Sequence, residues 1–213
     1  MFRVETEFPI AYDSPDHIMP WGTMNDNSTN LDFIKEISDL YNGNYKFMDL
    51  GCSGGQLVVD IHNSNNIAIG LEGSDYSIKH NRANWPEFNN KILFTCDIVK
   101  PYTIYYNNAS ILFNVITAWE VVEHIKPSDL EQFFININNH LEYDGLFLAS
   151  ISTHMDIING VHLHQSVFSE VDWYNHIFPK SLEKTKLKIY QYPFNNKVRS
   201  DGGSFHICLR KEK

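Results

Sequence analysis

Seven short apolar runs and the spacing between them constrain the fold of this chain more than any other feature of its sequence. The runs are Tyr45–Leu50, Ile67–Leu71, Ile92–Phe94, Ile111–Ala118, Leu146–Ser150, Leu187–Tyr192 and Phe205–Arg210. The first five are spaced widely enough for crossover helices, which predicts βαβ units and a parallel sheet. The last two leave no room for a helix between them and are expected to pair antiparallel. The prediction is an α/β fold with a doubly wound seven-stranded sheet, mostly parallel with an antiparallel last strand.

Two segments have the apolar spacing of helices. The first starts at Leu31, where Asn30 or Thr29 can cap it and Gly43 follows its end. The second starts at Ser128, where Ser128 and Glu131 match a capping box, and Gly145 follows it. The first helix leads into the first predicted strand, and the second lies before the fifth.

Residues 9–30 form the longest stretch without periodicity and contain Pro9, Pro15 and Pro20. We interpret this stretch either as a lid over a functional site or as an arm packed on the sheet. No repeat or linker divides the remainder, so residues 1–213 are predicted to form a single domain with residues 1–30 as an N-terminal lid or arm.

The charge balance limits the partners that this chain can bind. Its 17 Lys and Arg against 26 Asp and Glu give a net charge of -9, which argues against DNA and other long nucleic acids. The three cysteines are widely spaced and form no CxxC pair, which favours a reducing cytoplasmic location. The first residues lack the apolar run of a signal peptide, and no segment has the length of a membrane span, so no membrane partner is expected.

A strand followed by a glycine-rich turn carries the strongest functional signal. The segment from Phe47 to Gly55 reads F-M-D-L-G-C-S-G-G, and a predicted helix follows from Gln56. In open parallel sheets such turns let a ligand approach the backbone and the free N–H groups of a helix N-terminus. Glu72 ends the second predicted strand, where an acid can accept hydrogen bonds from ribose hydroxyls. Asp97 and Ile98 end the third, where they can contact an adenine ring. Together these positions predict a nucleotide-like cofactor.

This arrangement resembles the class I S-adenosylmethionine-dependent methyltransferases, whose sheet is Rossmann-like, and the resemblance runs from about Tyr45 to Ser150. Ser53 replaces the usual middle glycine of the first motif. The resemblance implies that the chain is a methyltransferase with S-adenosylmethionine as cofactor. The residues that it assigns to cofactor binding are Asp49, Gly51, Cys52, Ser53, Gly55, Glu72, Gly73, Cys96, Asp97, Ile98 and Trp119.

Beyond the fourth predicted strand the chain reads E-x-x-E-H, with Glu120, Glu123 and His124. If this stretch is helical, the three groups share one face directed toward the transferred methyl group. The spacing resembles that of ubiquinone-pathway O-methyltransferases and small-RNA 3′-terminal methyltransferases, where two Glu and two His bind a divalent metal. That implies a metal site of Glu120, Glu123, His124 and His164, with His162 as an alternative. Without a metal, His124 is the predicted catalytic base, supported by Glu120.

Three functions follow as hypotheses. The first is O-methylation of a small-molecule acceptor such as a sugar or glycan precursor, since the segment from His154 to Trp173 combines histidines and aromatics suited to an acceptor pocket. The second is 2′-O-methylation of an RNA 3′ end, which the acidic composition disfavours. The third is a non-catalytic partner subunit that binds the cofactor without turnover.

Overall fold

The central sheet of the computed structural model, which describes residues 1–195, 198 and 203–213, has the seven strands that the sequence predicts. We number them in chain order: β1 is Lys46–Leu50, β2 Ile67–Glu72, β3 Leu93–Thr95, β4 Phe113–Trp119, β5 Leu141–Ser152, β6 Leu187–Tyr190 and β7 Ser204–Lys211. The order across the sheet is β6-β7-β5-β4-β1-β2-β3. Strands β1 to β5 pair parallel, and β7 pairs antiparallel with β5 and β6. The predicted fold class is confirmed.

Most helices cover the two faces of this sheet, and we number the α-helices in chain order. They are α1 Pro15–Ile18, α2 Trp21–Asn25, α3 Leu31–Leu40, α4 Gln56–Asn63, α5 Tyr76–Lys79, α6 Trp85–Phe88, α7 Leu130–His140, α8 Glu170–Asp172 and α9 Phe178–Ser181. A 3₁₀ turn spans Val122–His124 and a π-helical turn spans Trp173–Ile177. The buried residues of α3, α4, α6, α7 and α9 join the strands in one core that runs in sequence from Phe2 to Leu209, whereas α1 and α8 contain no buried residue. No helix among the described residues is both long and apolar enough to span a bilayer.

The start of α3 matches its prediction, whereas the start of α7 does not. The Asn30 side chain accepts a hydrogen bond from Phe33 N and so caps α3. Helix α7 begins at Leu130 rather than Ser128, and no side chain caps it. The Ser128 hydroxyl donates instead to Asp129, and Glu131 pairs with Lys184 at 2.8 Å. The predicted capping box is therefore wrong, because both of its side chains have other partners.

Two small sheets were not predicted. Phe2–Thr6 pairs antiparallel with Tyr102–Tyr106, which also pairs with Ala109–Ser110. Ile157–Ile158 pairs with Val161–His162 in a short hairpin. The first residues are thus fixed to the body as a strand. We use "the arm" below for residues 9–30, which connect this strand to α3.

Candidate functional site

A cavity of about 390 Å³ lies at the edge of the sheet where the parallel strands end. This volume falls within the roughly 300–1,000 Å³ typical of small-ligand pockets. Its walls come from the arm, the ends of β1, β2 and β4, the loop after β3, and the turn before α7. The predicted site residues that line it are Gly51, Ser53, Glu72, Gly73, Asp97, Ile98, Trp119, Glu120 and His124.

The glycine-rich turn after β1 has the backbone that its sequence requires. Gly51 has φ +70°, and a Cβ at this position would lie 2.5 Å from Cγ2 of Val121. Gly55 has φ +86°, and its Cβ would lie 2.6 Å from Cδ1 of Leu93, where α4 starts against β3. Glycine relieves both constraints because it has no side chain and adopts positive φ readily. Gly51 lines the cavity directly, whereas Gly55 acts by setting the approach of α4.

Glu72 is a buried acceptor at the end of β2. Its Oε2 accepts a hydrogen bond from Ser53 N at 2.8 Å, and its Oε1 accepts from Ser74 N at 3.1 Å and from the Thr23 hydroxyl at 3.2 Å. Burial raises the pKa of this carboxyl, and the two backbone amides oppose the rise. A carboxylate has about four acceptor positions. Protein groups use three of these acceptor positions, which leaves one for a ligand. A second position becomes available if the Thr23 hydroxyl moves away.

Asp97 and Ile98 also occupy the cavity wall, after β3, as predicted for the adenine end. Asp97 is buried, and its Oδ1 accepts from Val99 N at 3.1 Å. Burial raises the pKa of the Asp97 carboxyl, and the Val99 amide and Lys100 oppose the rise. An oxygen fixed in this way at a strand end is well placed to accept from an amino group.

Besides Gly55, three predicted cofactor residues do not line the cavity. Asp49 accepts a hydrogen bond from the Thr117 hydroxyl at 2.6 Å, which directs it toward β4. Cys52 packs against Gly70, and a Cβ added to Gly70 would lie 2.7 Å from the Cys52 sulfur. Cys96 is fully buried in the core. These three side chains lie behind the wall of the cavity, and their assignment to cofactor binding stays a prediction. All three cysteines of the chain are free and buried.

The arm lies across the glycine-rich turn. The Ser53 hydroxyl donates to Gly22 O at 3.2 Å and to Asp26 O at 2.8 Å. A Cβ on Gly54 would lie 2.2 Å from Asn27 Oδ1, so the arm and the turn are in close contact. Arg82, which no motif of the sequence indicates, donates from Nε to Met24 O at 2.8 Å and from its guanidinium to Asp26 O. Residues of the arm therefore line the cavity, and its role as a lid or as a packed arm stays a prediction.

The E-x-x-E-H segment does not form the predicted α-helix. Glu120 ends β4 with φ +54°, and only Val122–His124 makes a helical turn, of the 3₁₀ type. The Glu120 amide donates to the Ser150 hydroxyl at 3.0 Å, and its Oε2 accepts from Ser204 at 2.9 Å. The shared helical face is therefore wrong, because the left-handed residue turns Glu120 toward β5 and β7. Its other oxygen, Oε1, is buried without a hydrogen-bond partner among the described residues.

His124 lines the cavity opposite the arm and forms an ion pair with it. Its Nδ1 lies 2.9 Å from Oδ2 of Asp16, in the first turn of α1. Burial lowers the pKa of the imidazole, but Asp16 and the nearby acids Glu123 and Asp156 raise it more, to about 9. The carboxylate expected to orient His124 thus comes from the arm, which spacing along the chain could not show.

Glu123, His124 and His164 converge behind the cavity, with one potential ligand atom of each within 4.8 Å of the others. The rings of His124 and His164 meet edge to face, and His164 Nδ1 contacts His154 O at 2.5 Å. His162 is exposed on the hairpin, so the position beside His124 belongs to His164. Glu120 is not part of this group. Three of the four predicted metal ligands come together, and one of the three, His124, is already paired through Nδ1.

The sheet order, the turn after β1 and the cavity define a class of protein: the fold is that of the class I S-adenosylmethionine-dependent methyltransferases. No protein-family model matches the chain, and a search of curated proteins finds no match by sequence. Among solved structures, it is similar to an S-adenosylmethionine-dependent methyltransferase from Clostridium acetobutylicum, with a TM-score of 0.58 and 16% identity over 85% of this chain and 90% of that one.

Two further structures contain S-adenosylhomocysteine. Magnesium protoporphyrin IX methyltransferase from Synechocystis has a TM-score of 0.56 and 11% identity, over 94% of this chain and 96% of that one. N-methyltransferase NodS from Bradyrhizobium japonicum has a TM-score of 0.52 and 12% identity, over 94% and 96%. At this identity the likeness establishes the fold, and the reaction has to be argued from the site itself.

Proposed function

We propose that this chain is an S-adenosylmethionine-dependent methyltransferase that methylates a hydroxyl group of a small-molecule acceptor. One observation carries the proposal. A single cavity joins Gly51, Glu72 and Asp97, at three successive strand ends, to Glu120 and His124 beyond the fourth. The first three are the positions that would hold the cofactor, and the last two can handle a proton beside it.

The residues of the cavity fit this cofactor. Glu72 offers a buried carboxylate with one acceptor position unused, which suits a ribose hydroxyl. Asp97 and Ile98 offer an acceptor and an apolar side chain for the adenine, and Gly51 keeps the backbone accessible. When bound, S-adenosylmethionine supplies an electrophilic methyl group on a sulfonium centre.

His124 is the base that we assign to the reaction. Its Nδ1 is paired with Asp16, so Nε2 is the nitrogen that takes the acceptor proton. With its pKa raised to about 9, the imidazole is protonated at neutral pH and becomes competent as the pH rises. Glu120 Oε1, buried without a partner among the described residues, can accept a hydrogen bond from the same acceptor.

A neutral polyol such as a sugar or glycan precursor suits the walls best. Carboxylates outnumber lysines in the lining: Asp13, Asp16, Asp26, Glu72, Asp97, Glu120 and Asp129, against Lys100 and Lys126. Such walls accept hydrogen bonds from hydroxyl groups and repel phosphates. For this reason we place an RNA 3′ end second and DNA outside the proposal. The solved structures above include an N-methyltransferase, so oxygen as the methylated atom is a point that the acceptor assay has to decide.

We propose that the reaction proceeds without a metal. A metal bound to Glu123, His124 and His164 would need Nε2 of His124, because Nδ1 faces Asp16. Nε2 would then be unavailable as a base. The cytoplasmic location expected from the cysteines stays a prediction.

Titration calorimetry of S-adenosylmethionine and S-adenosylhomocysteine tests the cofactor assignment. We expect micromolar binding that Glu72→Gln weakens about tenfold or more, because a buried acceptor for the ribose is lost. Glu87→Gln is the matched control, since Glu87 is exposed on α6 and should leave affinity unchanged. Thermal unfolding of each variant separates loss of binding from loss of fold.

An acceptor screen with free sugars, sugar nucleotides and short RNA, followed by S-adenosylhomocysteine release, tests the reaction. It is run with EDTA and with added Mg²⁺, Mn²⁺ or Zn²⁺, and activity that requires a metal would overturn the metal-free assignment. Cofactor binding without turnover over the whole panel would favour the partner-subunit hypothesis. Absence of any cofactor binding would contradict the methyltransferase proposal.

A further inference from the structure

We propose that Asp16 of the arm is the positioning residue for His124, so that the catalytic base is assembled from two parts of the chain when the arm lies on the body. The inference rests on the proposed function, because it assigns His124 the role of base. It adds a residue that no motif of the sequence indicates and gives the arm a chemical task.

The geometry of the pair supports this role. Asp16 Oδ2 lies 2.9 Å from His124 Nδ1, and the exposed fractions of the two side chains are 33% and 18%. This is an ion-pair distance, and the two atoms are not aligned as a hydrogen bond. A carboxylate at Nδ1 restricts the ring orientation and favours a proton on Nδ1, which leaves the Nε2 lone pair free. His164 packs edge to face on the same ring with centroids 4.7 Å apart, which limits its rotation further.

Asp16 itself is held in a defined conformation. The Ser14 side chain caps α1 by accepting from Asp16 N at 3.3 Å, and its hydroxyl donates to Asp16 Oδ2 at 3.4 Å. Pro15 at the first position of α1 restricts the backbone just before it. The Ser-Pro-Asp sequence therefore presents the carboxylate to His124 with few alternative conformations.

The pair depends on contacts elsewhere in the arm. Ser53 holds Gly22 O and Asp26 O, and Thr23 reaches Glu72. These contacts lie at the cofactor end of the cavity, whereas Asp16 lies at the acceptor end. One segment thus contacts both ends, and lifting it would separate Asp16 from His124.

The test compares wild type, Asp16→Asn, Asp16→Glu and His124→Asn, with Asp39→Asn on the exposed surface of α3 as matched control. In Asp16→Asn we expect kcat to fall about tenfold to hundredfold, as for other residues that orient a histidine. The Kd for S-adenosylhomocysteine should stay within about twofold, because Asp16 does not contact the residues that would hold the cofactor. Asp16→Glu should recover part of kcat, and adding Asp16→Asn to His124→Asn should cost nothing more.

Imidazole nitrogen NMR provides a readout that needs no acceptor. With the ring neutral, we expect His124 to be protonated on Nδ1 in wild type and to lose this preference in Asp16→Asn. The same tautomer in both proteins would overturn the proposal whatever the activity. An unchanged kcat in Asp16→Asn would overturn it as well. Failure of wild type to bind cofactor would count against the proposed function alone, and the NMR comparison would still decide the pair.

Discussion

At the scale of single residues, the most informative contact is the one between Thr23 and Glu72. The carboxylate that should bind the ribose already accepts a hydroxyl from the arm at 3.2 Å. One acceptor position of Glu72 is unused, so a ribose that donates from both of its hydroxyls competes with Thr23 for Oε1. The Thr23 hydroxyl also supplies one of the three hydrogen bonds that satisfy this buried carboxylate.

Thr23→Val removes this competitor while keeping the shape of the side chain. We expect the Kd for S-adenosylhomocysteine to decrease roughly twofold to tenfold, since a neutral hydrogen bond contributes about 0.5–1.5 kcal/mol net. Calorimetry measures the change, with Thr103→Val on an exposed strand position as control. Weaker binding would show instead that Thr23 and the ribose share Glu72 in the complex.

Sequence reasoning located the residues at strand ends well and those that depend on distant contacts poorly. Glu72, Asp97 and Ile98 were predictable because parallel strands end at one edge and chain order fixes which end is which. Asp16 was not, because its partner is more than a hundred residues away in sequence. The E-x-x-E-H spacing predicts a helix at Glu120, because periodicity cannot reveal a left-handed backbone at a non-glycine position.

At the scale of elements, the start of α4 is set by a glycine that is confined in two ways. Gly55 combines φ +86° with a position where a Cβ would lie 2.6 Å from Leu93. Gly160 has a similar φ of +81° but no atom within 4 Å of its Cβ position. A comparison of alanine substitutions at these two glycines therefore separates the free-energy cost of a left-handed backbone from the cost of steric crowding.

Gly55→Ala should lower the free energy of unfolding by about 2–5 kcal/mol, combining roughly 1–2 kcal/mol for a left-handed alanine with roughly 1–3 kcal/mol for overpacking. Gly160→Ala should cost only the first part. Urea unfolding of both variants checks this difference. Equal losses would mean that α4 shifts to make room for the new methyl group.

The docking of the arm on the body is a second property of an element. Arg82 holds it through hydrogen bonds to the carbonyl groups of Met24 and Asp26. Hydrogen bonds from a charged donor contribute about 1.5–3 kcal/mol each. Arg82 is thus a main polar contact between the α5–α6 connection and the arm.

Arg82→Met should increase hydrogen exchange of arm amides roughly tenfold or more, because it shifts the local opening equilibrium. Amides of β1 and β4 should keep their protection. Lys35→Met on the exposed face of α3 is the control with the same change of side chain. Faster exchange throughout the protein would indicate global destabilisation rather than release of the arm.

At the scale of the whole molecule, the strand order was predictable and the accessory sheets were not. Apolar runs and crossover lengths fix the seven strands, because burial on both faces gives continuous apolar segments. Phe2–Thr6 and Tyr102–Tyr106 alternate buried and exposed residues over only five positions each, too few to stand out in a chain with many polar residues. The start of β5 was also not predictable from the sequence. Its first residues, Leu141–Gly145, follow α7 directly, with no turn residue between the helix and the strand.

The pairing of Phe2–Thr6 with Tyr102–Tyr106 determines how the arm can move. Its leading end is held by this strand and its trailing end by the capped start of α3, so the arm is a closed loop rather than a free tail. Docking a segment that is held at both ends costs less chain entropy than docking a free tail, and reclosure is a unimolecular event at high effective concentration. If the arm lifts, Asp16 leaves His124 only within the reach of the loop, and the pair can form again in the same molecule.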